Sequence, residues 1–271
     1  MNTLSVLLFF STLWSYQPEP LSRPAGYVPP EMKGIGIKEN LGQHLDLSLN
    51  VRDEQGNARS LGSFFQAGRP VLLSFVYYAC PGLCNFHLNG VTEALKQLKW
   101  SVGKEFDVIA LSFDSKEGSE LAERKKRTYL NLYERPGSEV GWHFLTADEL
   151  TVQALTRAAG FSFRWNEAAQ EWSHGSAAIV LTPQAKISRY VHGIAPEAQT
   201  LKWAMSEATQ GRVGNLLDQI SWLCMTYDPK LSKYTLYAFR LVQLGGGLMI
   251  LFLGFLLIPQ IFRSRRQRIS T

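Results

Sequence analysis

The sequence predicts an α/β domain followed by one C-terminal transmembrane helix, and three observations carry that prediction. An apolar run, Val71-Leu-Leu-Ser-Phe-Val-Tyr-Tyr78, ends in Cys80-Pro-Gly-Leu-Cys84 and passes into residues with helical spacing. Strand-like and helix-like stretches then alternate to Gly160. Finally, no charged residue falls between Arg240 and Arg263, a stretch of about 33 Å as a helix and long enough for a bilayer core.

The N-terminal stretch Leu4 to Trp14 has the apolarity of a signal-peptide core, so residues 1–16 read as a signal peptide, with an uncleaved anchor as the alternative. Residues 17–33 hold Pro18, Pro20, Pro24, Pro29 and Pro30 and read as an extended linker. The domain is expected over residues 34–210. Leu45, Leu47, Leu49 and Val51 alternate as a half-buried strand, and Asp53-Glu-Gln-Gly-Asn57 turns it into a partner strand, giving an N-terminal hairpin. Ser60 is placed to cap a short helix through Phe65.

The run Val71–Tyr78 reads as a central strand covered on both faces. Leu88, Val91, Leu95 and Leu98 follow at intervals of three and four, predicting a helix from Pro81 or Leu83 to about Lys99. A second buried strand is expected over Phe106–Phe113, a helix over Ser119–Tyr133 and a short strand over Trp142–Leu145. Thr146-Ala-Asp-Glu149 has the form of a capping box before a helix that Gly160 stops. Ala177–Leu181 and Ile187–Val191 flank a turn and form a hairpin, and a closing helix runs from Pro196 to about Gln210. Together these make a thioredoxin-like layout with an N-terminal hairpin extension. A juxtamembrane segment (211–240), the transmembrane helix (241–262) and a basic tail (263–271) complete the chain.

Composition excludes one function class. Four of the five net positive charges sit on Arg263, Arg265, Arg266 and Arg268, so the remainder is nearly neutral and no nucleic-acid surface is expected. Those arginines put the C-terminus in the cytoplasm. With an exported N-terminus, the domain then faces the periplasm from a single-pass inner-membrane anchor, where disulfides persist.

The dithiol carries the chemistry. If both cysteines lie on the first helical turn, at i and i+4, their sulfurs share a face and the helix N-terminus favours thiolate. The spacing Cys-x-x-x-Cys can close a disulfide, and it can also supply two corners of a soft-metal site for copper(I), zinc or iron. Of the five histidines, His174 precedes the strand Ala177–Leu181, in a loop that the resemblance to a thioredoxin-like sheet implies is packed against the dithiol, and this loop holds no proline. From position alone a structural histidine stays open. His87, seven residues after Cys80 and about 10 Å along the helix, is too far for all three to meet one ion. His44, His143 and His192 sit in strand-like stretches as structural residues. Cys224, just before the span, reads as a packing residue, with pairing between chains or a free thiol as the alternatives.

Phe75-Val-Tyr-Tyr-Ala-Cys80-Pro-Gly-Leu-Cys84, Leu111-Ser-Phe-Asp114 and His174 ahead of a hairpin resemble the Sco/SenC copper chaperones over about residues 34–210. Tyr227-Asp-Pro229 before the span is similar to a bacterial subgroup with a C-terminal anchor. The resemblance implies a membrane-anchored thioredoxin-like protein that binds copper through Cys80, Cys84 and His174, with Cu(I) expected and Cu(II) left open. It implies delivery to the cytochrome c oxidase subunit with a binuclear copper site, with another periplasmic copper or thiol carrier as a further partner. Three positions depart from the family pattern. Asn85 stands where proline is common, Ser115 where proline follows the aspartate, and Ser173 where an acid often precedes the histidine and orients its ring. The rival reading is a thiol-disulfide reductase with Cys80 attacking and Cys84 resolving; a peroxide or redox sensor is the third. The chaperone reading makes the protein a metal carrier rather than an enzyme.

Overall fold

A computed structural model describes residues 34–214, the backbone of two short strands at Met225–Asp228 and Lys233–Leu236, and Met249. The expected signal peptide, the proline-rich stretch, Cys224, the expected transmembrane span apart from Met249, and the basic tail fall outside the described residues. Among the described residues no helix is long and apolar enough to cross a membrane.

The central sheet forms from the apolar runs the sequence marks. Its strands are β4 (Val71–Val76), β5 (Asp107–Ser112), β6 (Trp142–Leu145), β9 (Ala177–Leu181) and β10 (Ile187–His192), in the order β10-β9-β4-β5-β6. β4, β5 and β6 are parallel, with Leu73 opposite Ile109 and Ile109 opposite His143; β9 and β10 run antiparallel on the other side. Every residue of β4, β5 and β9 is buried, as expected for strands covered on both faces. Alternation along β4 divides the core. Leu73 and Phe75 line one small cavity with Leu155 of α3 (Glu149–Ala158), while Ser74 faces α1 (Leu83–Lys96). α1 contacts both α2 (Ser119–Tyr133) and α4 (Ala198–Thr209).

A second sheet, β1-β7-β8, joins β1 (Gly36–Ile37) to β7 (Phe161–Asn166) and β8 (Glu171–His174). The expectations above miss it, placing His174 in a loop where it is the last residue of a strand. Gly160, which stops α3, is required at the join: at φ +61 it lies so close to Lys38 that a Cβ would be 1.8 Å from the Lys38 carbonyl oxygen. β11 (Met225–Asp228) and β12 (Lys233–Leu236) pair antiparallel.

Four local expectations are corrected. The N-terminal hairpin is only β2 (Asn50–Arg52) and β3 (Ala58–Ser60), because the Asp46 carboxylate accepts from the Ser48 N–H at 2.9 Å and from its hydroxyl, bending the chain before Val51. The short helix at Leu61–Phe64 is a 3-10 turn with no cap bond from the Ser60 side chain. β4 stops at Val76 because the next two amides leave the sheet: Tyr77 N–H donates to Cys84 Sγ and Tyr78 N–H to Glu117. The cap of α3 is Asp148, which accepts from Thr151 N–H at 2.8 Å, rather than a Thr146–Glu149 box. The closing helix keeps its predicted place, and the chain after it folds back, with Gly214 N–H donating to the Ser188 carbonyl at 2.9 Å.

Candidate metal centre

Parallel pairing puts the chain leaving β4 beside the chain leaving β5, Val76 opposite Ser112, so residues beyond both strands meet at the carboxyl end of the sheet. Cys80 lies in the turn after β4 and Cys84 is the second residue of α1. The expectation that both lie on the helix is therefore corrected: α1 begins at Leu83, after Pro81 and Gly82. Cys80 instead caps the helix. Its sulfur accepts from Gly82 N–H at 3.4 Å and Cys84 N–H at 3.3 Å, two amides with no partner inside the helix.

β8 brings His174 to the pair. The Sγ atoms of Cys80 and Cys84 and a ring nitrogen of His174 all lie within 4.8 Å of one another, and Cys84 Sγ is 3.2 Å from His174 Nε2. All three residues are buried, and both cysteines are free thiols. His174 Nδ1 lies 2.7 Å from the Gly175 carbonyl oxygen. A carbonyl only accepts, so Nδ1 carries a proton and Nε2 is the ring nitrogen turned toward the sulfurs. The ring orientation expected from an acidic residue at position 173 is thus supplied by the backbone of Gly175. Phe113, Tyr77 and Phe161 enclose the imidazole, with centroids 5.1, 5.9 and 6.0 Å away.

The two thiols are electrostatically unequal. The Cys84 S–H bonded to its sulfur, together with His174, the Tyr77 hydroxyl and the Cys84 amide, holds Cys80 well below the ordinary thiol range against the opposing effect of burial. Sharing that hydrogen bond from the donor side, and its own burial, push Cys84 up. Burial, and next the bond to Cys80, push the Tyr77 phenol up. The arrangement is a Cys80 thiolate, a Cys84 thiol and the His174 Nε2 atom, three sulfur and nitrogen donors converging on one space. Two soft thiolates and an imidazole suit a soft cation, which on entry takes the place of the Cys84 proton.

Two residues outside the sequence-derived set shape this corner. The Glu117 carboxylate accepts from Tyr78 N–H at 2.7 Å, Ala79 N–H at 2.6 Å and Ser112 Oγ at 2.5 Å, pinning the turn that delivers Cys80. Asn85, at the position that departs from proline, donates to the Cys80 carbonyl at 2.7 Å and accepts from Lys125 Nζ at 2.6 Å. A signal for Glu117 existed in the parallel order of the strands, which brings the loop after β5 to the dithiol. The other histidines stay apart from the cluster. His87 is buried and His143 half-buried, and loss of solvent lowers both to about pKa 4; His44 meets the Gln184 carbonyl, and His192 pairs with Glu39 at 2.7 Å.

No protein-family model matches the sequence, nor does any curated protein sequence. Solved structures do match. A protein of Aquifex aeolicus VF5 described as an electron-transfer candidate superposes with TM-score 0.56 at 23% identity, covering 64% of this chain and 96% of its own. BsSco, a member of the Sco family of cytochrome c oxidase assembly proteins described with a disulfide switch, gives TM-score 0.50 at 18%, covering 64% and 98%. The domain has the Sco thioredoxin-like fold. A SCO1/SenC family lipoprotein from Bacillus anthracis str. Ames gives the same TM-score, 0.50, at 14% identity, covering 64% and 98%. Within that fold, the β7–β8 hairpin is the element that carries His174.

Proposed function

We propose that this chain is a Sco/SenC copper chaperone that holds copper(I) as cargo on Cys80, Cys84 and His174 and passes it to a cytochrome c oxidase subunit with a binuclear copper site. The observation that carries this reading is the convergence of two sulfurs and a His174 ring nitrogen within 4.8 Å, with Nδ1 held by the Gly175 carbonyl so that Nε2 faces the sulfurs. Three donors leave a coordination position open, so an incoming ligand on the client can bind before a donor here departs. A signal peptide and a C-terminal anchor would hold the domain at the periplasmic face of the inner membrane, where such a client is reached.

The unequal thiols favour a second reading. As a reductase, the Cys80 thiolate would attack one sulfur of a client disulfide, breaking that bond and forming a mixed disulfide. Cys84, losing its proton, would then attack Cys80, forming the intramolecular disulfide and releasing the client as a dithiol. Two electrons pass from this pair to the client. His174→Ala separates the readings: chaperoning predicts loss of stoichiometric Cu(I) with thiol exchange retained, together with loss of oxidase assembly in cells. Full function of His174→Ala in cells would favour the reductase.

A further inference from the structure

His87 is a buried imidazole that the three-donor site does not use. It lies on α1 three residues beyond Cys84 and is 2% exposed, and burial lowers its pKa to about 4, so the ring is neutral at neutral pH. Both nitrogens are engaged. Nδ1 is 3.3 Å from the Gly193 carbonyl oxygen and Nε2 is 3.0 Å from Ser74 Oγ. Because the carbonyl only accepts, Nδ1 carries the hydrogen and Nε2 accepts from the Ser74 hydroxyl.

The far end of this bridge leads back to the metal centre. The Gly193 carbonyl also accepts from Ser176 Oγ at 3.2 Å, and Gly193 N–H donates to the Ser176 carbonyl at 3.1 Å. Ser176 directly follows Gly175, whose carbonyl fixes the His174 ring. Next along the chain, Ile194 packs so tightly on α1 that a Cβ on Gly90 would lie 2.4 Å from its carbonyl oxygen. A line of bonds therefore runs from the helix bearing Cys84, through His87 and Gly193, to the Gly175–Ser176 segment that follows His174. Packing alone does not call for an imidazole here, since an aliphatic side chain would fill the buried stripe beside Leu88 and Val91 without two polar nitrogens to satisfy.

We propose that His87 is a positioning residue: by tying α1 to the bonded Gly193–Ser176 pair at the ends of β10 and β9, it sets His174 Nε2 against the two sulfurs before any ion arrives. The proposal deepens the copper-holding reading and rests on it for one of its two measurements. Holding the donors in place in the empty protein removes an ordering cost from binding.

The test uses the full-length chain in detergent, reduced. Long-range 1H–15N spectra of the metal-free protein read the His174 tautomer, and competition with a chromophoric chelator reads Cu(I) affinity. Wild type should show one tautomer, protonated at Nδ1. His87→Leu should mix the tautomers and weaken Cu(I) binding about tenfold, the lower end of what removing a ligand's supporting partner costs. His87→Asn, which keeps a donor near the Gly193 carbonyl, should recover much of the loss. A His87→Leu protein that melts lower but keeps the wild-type His174 signals and affinity overturns the proposal. If His87→Leu does not fold, Ser176→Ala decides it, a mixed tautomer supporting the bridge and an unchanged one overturning it. Should wild type bind no copper, the chaperone reading falls while the tautomer comparison still judges His87.

Discussion

Replacing Glu117 with glutamine should loosen the turn that carries Cys80. The native carboxylate receives three donors, two of them consecutive backbone amides. The amide of Glu117→Gln keeps the shape but has one oxygen, so its NH2 must face either Tyr78 N–H or Ala79 N–H, donor against donor. Ala79 is exposed and its amide can turn to water, whereas the Tyr78 amide is partly buried and cannot do so freely. Relief from burying a charge, which pushes the Glu117 pKa up, offsets part of the loss. Stranding one buried donor costs about 1–3 kcal/mol. For a domain of this size, that corresponds to a fall in Tm of about 2–12 °C. Thermal unfolding by circular dichroism measures the first effect, and the rate of Cys80 alkylation by iodoacetamide measures the second, which should change as the thiolate's donors lose their alignment. A variant that melts with wild type and alkylates at the wild-type rate would refute the reasoning.

Three further outcomes are expected. Cys80 alkylation in wild type should stay nearly flat as pH falls from 8 to 6, where an ordinary thiol slows about a hundredfold, because its depressed pKa keeps it thiolate; a steep fall, read by mass spectrometry of the modified peptide, would contradict that assignment. Asp107 is fully buried at the start of β5, 3.1 Å from Arg69 Nε, and burial raises its pKa to about 6. Its folded pKa lies above the unfolded one, so its contribution is complete below about pH 4 and is lost as pH rises through 6. Denaturant titrations of wild type and Asp107→Asn should therefore differ in slope over pH 4 to 6, by no more than about 3 kcal/mol in total, and parallel curves would contradict this. Gly160→Ala forces a side chain into left-handed backbone and against the Lys38 carbonyl, and should cost about 3 kcal/mol or more in chemical denaturation.

The sheet was legible where burial on both faces left a plain apolar run, as at Val71–Val76 and Asp107–Ser112, and where helical spacing was strict, as from Leu88 to Leu95. The Cys80–Cys84 pair was legible too, but its placement on the helix was not, since the departure of Tyr77 and Tyr78 from the sheet depends on a bond to the Cys84 sulfur and on Glu117, which is remote in sequence from the strand. The β7–β8 hairpin had a readable signal in the alternation of Phe161, Phe163 and Trp165 with polar residues. Asp46 could also have warned that the first strand would bend. The role of Gly175 had no signature, because any residue has a carbonyl. Likewise, nothing in the spacing of His87 pointed to Gly193, far along the chain.

X-ray absorption of the reduced full-length protein loaded with one equivalent of Cu(I) tests the central claim most directly. The account predicts a copper bound by two sulfurs and one imidazole nitrogen, with the nitrogen shell lost in His174→Ala and stoichiometric binding lost in Cys80→Ser and Cys84→Ser. A copper bound by sulfur alone in wild type, with a spectrum that His174→Ala leaves unchanged, would contradict it.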